Sequence, residues 1–515
     1  MDSLERFYGT LGSVPQKLGL ARRQEAAGLL AAALPNLIVY SESSCAVPGG
    51  LLVAARDGDL RKLLVCGSAQ SFDGSSLDGT LESIKLCDAS PANMAALRHE
   101  IDYLRPELTG LRSSVGLGDR LGVATPGHIA AGAGSGFVLV LAQQSIREMS
   151  RTARSAQQVM DEATFGVFES GYDAGFGSDA DHLKTTADVD VTAKAGFTFF
   201  TIDPSEHVDD TVANASESQL VEKHEKMIAD GVPGAAGWRS KYLGKSLTIG
   251  SVKVRFDDLT LFRAVAKYGR AVAHTETMAR HIAKTAPRHE LELSVDETAL
   301  PTSVAEHLFI AHELSERGVK LISLAPRFIG EFEKGIDYKG DVRAFESALR
   351  DHVSIAEHYG PYKISIHSGS DKFAIYPIVS RVTGGRFHLK TAGTSYLEAL
   401  RVIARSDSTL FREIIVFCRE RFCTDKATYH ISSTLEKVPA PSALKDAELE
   451  QIYLDENNGR QILHVTFGSV LTVKAADEQP RFRGRLMSVL NREAQLYVEV
   501  LKKHIGRHIK GIIRN

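Results

Sequence analysis

The segment GSDADHLKT (177–185) places Asp179, Asp181, His182 and Lys184 close together. Carboxylate and imidazole groups are ligands for divalent ions such as Zn²⁺, Mn²⁺, Ni²⁺ or Co²⁺. A neighbouring ammonium, here that of Lys184, can neutralise a developing oxyanion. The competing reading makes Asp181 a helix cap and leaves His182 and Lys184 in an exposed first turn. A histidine gains nothing from the helix dipole there. A second group is KISIHSGSDKF (363–373), where His367 ends an apolar run. The turn that follows offers backbone N–H groups and Lys372 to an anion. In a third, GRFHLKTAGTSY (385–396), strand alternation puts Arg386, His388 and Lys390 on one face. Three cationic side chains against an apolar core would be costly, so either they line a polar barrel mouth, the place expected for Lys390, or the strand is an exposed edge.

Elements that could bring these segments together recur from about residue 115. Short apolar runs ending in polar residues stand at 120–125, 164–170, 197–203, 291–297, 320–326, 363–369, 387–393 and 428–433. Helix-compatible sequence separates them, including FVLVLAQQSIREMSRTARSAQQVM (137–160), read as one long helix. Ser303 and Glu306 form a capping box before AEHLFIAHELSERG, which stops at Gly318. Eight strands alternating with helices predict a (β/α)₈ TIM-type barrel, with a doubly wound open sheet as the alternative. Active sites of such barrels are built at the C-terminal strand ends. There the sequence offers His128, Glu169, Asp203, Asp296 with Glu297, Arg327, His367, Lys390 and Ser432.

Three units are expected. Residues 1–112 read as an N-terminal α/β domain and 113–440 as the catalytic barrel, with an insertion at about 204–255. Residues 441–515 read as a mostly helical extension around a strand-like QILHVTFGSVLTV. The insertion is expected to act as a lid over the catalytic face.

Composition narrows the function classes. The chain has 515 residues, 43% hydrophobic and 24% charged, average globular usage. Aromatics make up 7% with one tryptophan, and the net charge is −3, so neither stacking platforms nor a basic field favour nucleic acid. The five cysteines form no ligand pattern, which points to a reducing compartment. No apolar run approaches the roughly 18 residues of a membrane span. A cytoplasmic enzyme with a small-molecule substrate is expected, and a homo-oligomer is compatible with it. The glycines of 116–122 stand before and within a strand rather than between strand and helix, and AAGAGSGF (130–137), though read between a strand and a helix, lacks the spacing and the acidic residue of a dinucleotide fingerprint.

The motifs GLGDRLGVATPGH, FESGYDAGFGSDADHLKTTADVD, FTFFTIDPSEHV and ISIHSGSDKF together resemble those of the tagaturonate epimerase family, from about residue 110 to beyond 400. The resemblance implies interconversion of D-tagaturonate and D-fructuronate with a divalent metal, extending in related barrels to tagatose and fructose. This is inversion at C4 of a 2-keto hexuronate. The C4 hydrogen is β to the ketone, so enolisation cannot remove it. Retro-aldol cleavage of C3–C4 and re-addition is the route expected without a nucleotide, and it needs a Lewis acid and a proton carrier. A looser similarity to class II metal-dependent aldolases rests on their Asp-His pair and a His-Gly-Gly-Ser turn four strands later. Asp181-His182 and His367-Ser-Gly-Ser stand in that relation.

The expected roles follow. His182 and His367 hold the metal, with Glu297, His388 or Asp181 as third ligand. Asp181 or Glu169 moves the C4 hydroxyl proton. Lys184, Arg327, Lys372 and Lys390 hold the substrate carboxylate and the oxyanion, while His128 and Gln144 bond substrate hydroxyls. The alternatives are a class II aldolase or a ketose isomerase acting on a sugar acid.

Overall fold

The computed structural model describes residues 19–48, 50–67, 71–77, 84–367, 371–390 and 394–513. Eight parallel strands close into a barrel in sequence order: β1 (Ser114–Gly116), β2 (Val138–Ser145), β3 (Gly177–Leu183), β4 (Phe199–Ile202), β5 (Glu290–Val295), β6 (Ser323–Pro326), β7 (Lys363–His367) and β8 (Phe387–Lys390). β8 closes on β1 through His388↔Ser114 and Lys390↔Gly116. The barrel is therefore the architecture, and the open sheet is excluded.

The strand count agrees with expectation, but three strands lie elsewhere. Residues 120–125 form a turn entering the helix Thr125–Gly132, and the first strand precedes them. Residues 164–170 fall at the end of the helix Ala156–Glu169, whose Ser155 and Gln158 make a reciprocal capping box. The segment read as one helix over 137–160 opens with β2, and Ser145 then caps the helix Ile146–Thr152. The polar stretch 177–183 is itself β3. Residues 428–433 are irregular, so Ser432 ends no strand; its hydroxyl donates to Glu333 instead. Ser303 and Glu306 do form their capping box, on the helix Val304–Glu316.

The chain between β4 and β5 reaches the barrel rim, where Asp210 accepts from the Ala299 N–H, and also packs on the outer helix Val304–Glu316. Its helix Ala235–Tyr242 buries Trp238 against Phe309, and Trp238 Nε1 donates to Glu313 Oε2 at 2.8 Å. The strand-like 461–473 region is helical, as Asn457–Val465 and Phe467–Thr472. Before β1, antiparallel strands Gly50–Asp57 and Leu60–Gly67 form the centre of a small sheet. One continuous apolar core runs from this sheet through the outer barrel layer to the C-terminal helices. The last helix, Ala494–Ile512, lies on Thr125–Gly132 so closely that a Cβ on Gly127 would stand 2.6 Å from the Leu501 side chain.

The barrel interior is polar along its axis, unlike the branched apolar layers usual in this fold. At the N-terminal end, Glu290 accepts from the backbone N–H of Thr109 and Gly110. Beside it, Lys363 Nζ donates to Thr109 and Ser114 at 2.8 and 3.0 Å, and burial pushes its ammonium down to about 8. The next layers lead to the site.

Candidate active site

Each strand sends alternate residues inward. β3 contributes Asp179 and Asp181, β4 Thr201, β5 Glu292 and Ser294, and β8 His388 and Lys390. At their centre the buried Lys390 Nζ lies 3.0 Å from Asp179 Oδ2, 2.6 Å from Asp181 Oδ1, 2.9 Å from Glu292 Oε1 and 2.9 Å from Thr201 Oγ1. Burial alone would discharge this ammonium, but the three carboxylates hold its pKa well above the usual lysine value. Burial opposes charge on Asp181 and Glu292 as well. Lys390 outweighs it and keeps both well below the usual carboxylate range.

Above this layer stand two histidines with ring centroids 5.2 Å apart and planes at 77°. His182, the last residue but one of β3, has φ +52°, a left-handed conformation uncommon for a residue with a side chain and often found at functional sites. That backbone turn aims its ring over Asp181. Its Nδ1 is 3.2 Å from Asp203 Oδ2 and its Nε2 3.7 Å from Asp181 Oδ1. Against the effect of burial, these carboxylates push the His182 imidazole up to about 10. His367, at the end of β7, sets Nε2 2.7 Å from Glu292 Oε1 and Nδ1 3.3 Å from Asp296 Oδ1.

Asp181, His182 and His367 each present a donor atom, all within 4.8 Å of one another, and His182, Asp203 and Glu297 form an overlapping group. Three carboxylates (Asp179, Asp181 and Glu292) contact the Lys390 ammonium, and two more, Asp203 and Asp296, contact the histidines. Without metal, the neighbouring carboxylates favour protons on both imidazoles against the effect of burial. A divalent cation would replace those two protons charge for charge. Asp203 behind His182 is the carboxylate that orients a metal-bound imidazole in many such sites. The mixed N/O donor set suits Zn²⁺, Mn²⁺, Ni²⁺ or Co²⁺, so the residues fit the metal.

The mouth opens into a cavity of about 490 Å³ whose wall includes His367, Asp296, Glu297, Arg147, Arg327 and Lys334. Arg147 Nη2 pairs with Glu297 Oε1 at 2.8 Å. Arg327 is held by the carbonyls of Phe328 and Gly330. Lys334 is half-buried and has no ion pair among the described residues.

The structure separates the expected site residues into two sets. It brings together Asp181, His182, His367 and Lys390, with Arg327 and Glu297 on the cavity wall. His388 lies one layer deeper, with Nδ1 2.8 Å from Ser114 Oγ, outside the donor group. Lys184 sits beyond β3 at the rim, 3.4 Å from Glu206.

Four residues stand away from the cavity. His128 is wholly buried in the helix behind β2, bonded to Ser395 at 2.7 Å, and burial pushes it down to about 4. Gln144 points outward from β2 and donates to the Asp119 carbonyl. Lys372 is buried under the Glu333 and Ile336 carbonyls, and burial pushes it down to about 7. Glu169 ends a helix and faces Arg56 at 3.9 Å under the N-terminal sheet. Glu169→Gln is therefore expected to lower the melting midpoint, by about 1–3 kcal/mol of stability, and to leave kcat/KM close to wild type. A loss of activity at unchanged stability would return Glu169 to the chemistry. The turn 368–370 lies outside the described residues.

Sequence reasoning missed Glu292, Thr201 and Gln143, whose Nε2 donates to Asp181 Oδ2 at 3.1 Å. The strict alternation of ELELSV (290–295) was the available signal for Glu292.

Residues 40–512 match the family model of tagaturonate epimerase, UxaE. The chain belongs to that family. A curated tagaturonate/fructuronate epimerase of Thermotoga maritima is 44% identical over 427 residues, 83% of this chain and 86% of that one. The native crystal structure of fructuronate-tagaturonate epimerase UxaE from Cohnella laeviribosi matches with a TM-score of 0.88 at 37% identity. The match covers 95% of this chain and 99% of that one. A structure of the same protein complexed with one glycerol matches equally, over 94% and 98%. The epimerase barrel, its N-terminal sheet and its C-terminal helices are thus common to the solved relative. No helix of the epimerase, among the described residues, is long and apolar enough to cross a membrane.

Proposed function

We propose that this epimerase interconverts D-tagaturonate and D-fructuronate by metal-dependent retro-aldol cleavage and re-addition at C3–C4. The observation that carries the metal is the convergence of Asp181, His182 and His367 above a carboxylate-rich layer with one ammonium. The substrate follows the 44% identical relative named for it. The division of the chain at about 112 and 440 is proposed with it.

His182, His367 and Asp181 would hold the cation. When bound, it supplies Lewis-acid stabilisation of the negative charge that collects at C2 and C3. Asp181, already engaged by Lys390 and Gln143, serves better as ligand than as proton carrier. Asp296, on the cavity wall beside His367, takes the C4 hydroxyl proton. The C3–C4 bond then breaks, its electron pair passes toward the C2 oxygen, and C4 becomes an aldehyde. Rotation about C4–C5 presents the other aldehyde face. The bond re-forms, and Asp296 returns the proton to the inverted alkoxide. Lys390 fixes Asp181 and Glu292 throughout.

Arg327 and Lys334 hold the substrate carboxylate from the cavity wall. A charged hydrogen bond of this kind is worth about 1.5–3 kcal/mol. Lys334→Met is thus expected to raise KM for tagaturonate by roughly ten- to a hundredfold and to leave any turnover of neutral tagatose unchanged. Equal losses on both substrates would place Lys334 outside carboxylate recognition.

The deciding experiment follows metal-reconstituted protein with tagaturonate and, separately, tagatose by ¹³C NMR. Conversion to the C4 epimer that stops with chelator supports the reading. Accumulation of free three-carbon fragments would make the protein an aldolase. Solvent hydrogen entering C1 or C3 would make it a ketose isomerase.

A further inference from the structure

A second group of potential ligands lies outside the barrel mouth. Asp371, four residues beyond His367, meets His504 and His508 of the C-terminal helix Ala494–Ile512. The two histidines are one helical turn apart on one face, with ring centroids 4.9 Å apart. Asp371 Oδ1 is 2.9 Å from His508 Nε2 and 3.5 Å from His504 Nε2. All three atoms are buried, and none makes a hydrogen bond of acceptable geometry.

The other atom of each side chain faces a partner. His508 Nδ1 is 3.1 Å from the His504 carbonyl, to which only an N–H can bond, so a neutral His508 turns its Nε2 lone pair toward the Asp371 oxygen. His504 Nδ1 faces Glu398 Oε1 at 3.4 Å. Asp371 Oδ2 accepts from Arg460 Nη2 at 3.0 Å. Each ligand thus has the outer partner that orients a metal-bound side chain. The three remaining atoms lie within 4.8 Å of one another. Four-coordinate zinc with bonds of about 2.0 Å sets its ligand atoms roughly 3.3 Å apart, and the two distances from Asp371 Oδ1 bracket that value. A cavity of about 210 Å³ reaches His504 and Glu398 from solvent and provides entry.

We propose that Asp371, His504 and His508 form a second divalent-cation site, of zinc type, that fastens the C-terminal helix to the chain segment following β7. It is independent of the metal proposed at the barrel mouth.

The test uses the full-length chain carrying His182→Ala and His367→Ala, which removes two donors of the mouth. This variant, stripped and then incubated with excess Zn²⁺ and dialysed, is expected to retain one zinc per chain by elemental analysis. With Co²⁺ it is expected to show the visible d–d bands of a four-coordinate ion. Adding either His508→Gln or Asp371→Asn is expected to abolish both signals, with circular dichroism confirming the fold. Should the double variant not fold, the wild-type chain is expected to hold two zinc ions and the single variant His508→Gln one. Zinc at background in the folded double variant, or zinc retained unchanged after His508→Gln, would overturn the proposal. The triad would then be a buried imidazolium–carboxylate network.

Discussion

Replacing His367 by alanine is expected to remove the metal proposed at the barrel mouth and the epimerase activity together. His367 is the one candidate ligand that comes from β7, across the barrel from Asp181 and His182 on β3. Two adjacent residues of one strand cannot by themselves enclose an ion. Loss of Lewis-acid stabilisation costs several kcal/mol of barrier, so kcat/KM should fall at least about a thousandfold. Metal content at the mouth, read in a chain also lacking His508, should fall with it. The melting midpoint should also fall in the metal-free state, because the substitution takes a buried partner away from Glu292 and Asp296. Full activity with normal metal content would take His367 out of the site.

Lys390→Met should show the largest loss of stability of any single substitution at the site. The substitution keeps the side-chain volume and leaves Asp179, Asp181 and Glu292 facing one another without their common cation. Breaking a buried ion pair by removing one partner costs about 3–5 kcal/mol. The sign with pH follows from the carboxylates. In the wild type, Asp181 and Glu292 have depressed pKa values, so their stabilisation is present above the ordinary carboxylate range and is lost as pH falls through and below it. In Lys390→Met those carboxylates take up protons more readily. The gap between the two proteins should therefore be widest near pH 7 and narrow as pH drops toward about 4. Thermal unfolding from pH 7 to 4 reads this directly, and a gap that widens on acidification would contradict the assignment.

How much of this was legible in the sequence depends on what each strand faces. β4 to β7 keep apolar residues at their outward positions and end in polar ones, so the runs at 197–203, 291–297, 320–326 and 363–369 mark them correctly. β3 defeats that reading because its inward residues are the carboxylates of the site itself. In GSDADHL, function has replaced the apolar alternation that would identify a strand. β2 runs into its helix with no Gly or Pro between, and only the Ser145 cap separates them. In TFGVFES, the β-branched and aromatic residues suggest a strand, yet the Ser155–Gln158 box upstream had already begun a helix. Asp181, His182 and His367 could be found because their types and neighbours are unusual. Gln143 and Glu292 could not be found by looking only at strand ends, since both sit within their strands.

The polar axis of the barrel has a consequence for how the strands find one another. Apolar interiors tolerate slippage, because one leucine replaces another at little cost. Here Glu290 needs the N–H groups of Thr109 and Gly110, Lys363 needs Ser114, and Lys390 needs carboxylates from two strands. Sliding any one strand by two residues would keep its inward face inward and yet strand a charge in a low dielectric, at a cost of several kcal/mol. The column of charges thus works as a set of lock pins. It adds little net stability, but it leaves a single shear at which the barrel can close, and that shear is the one that aligns Asp181, His182 and His367.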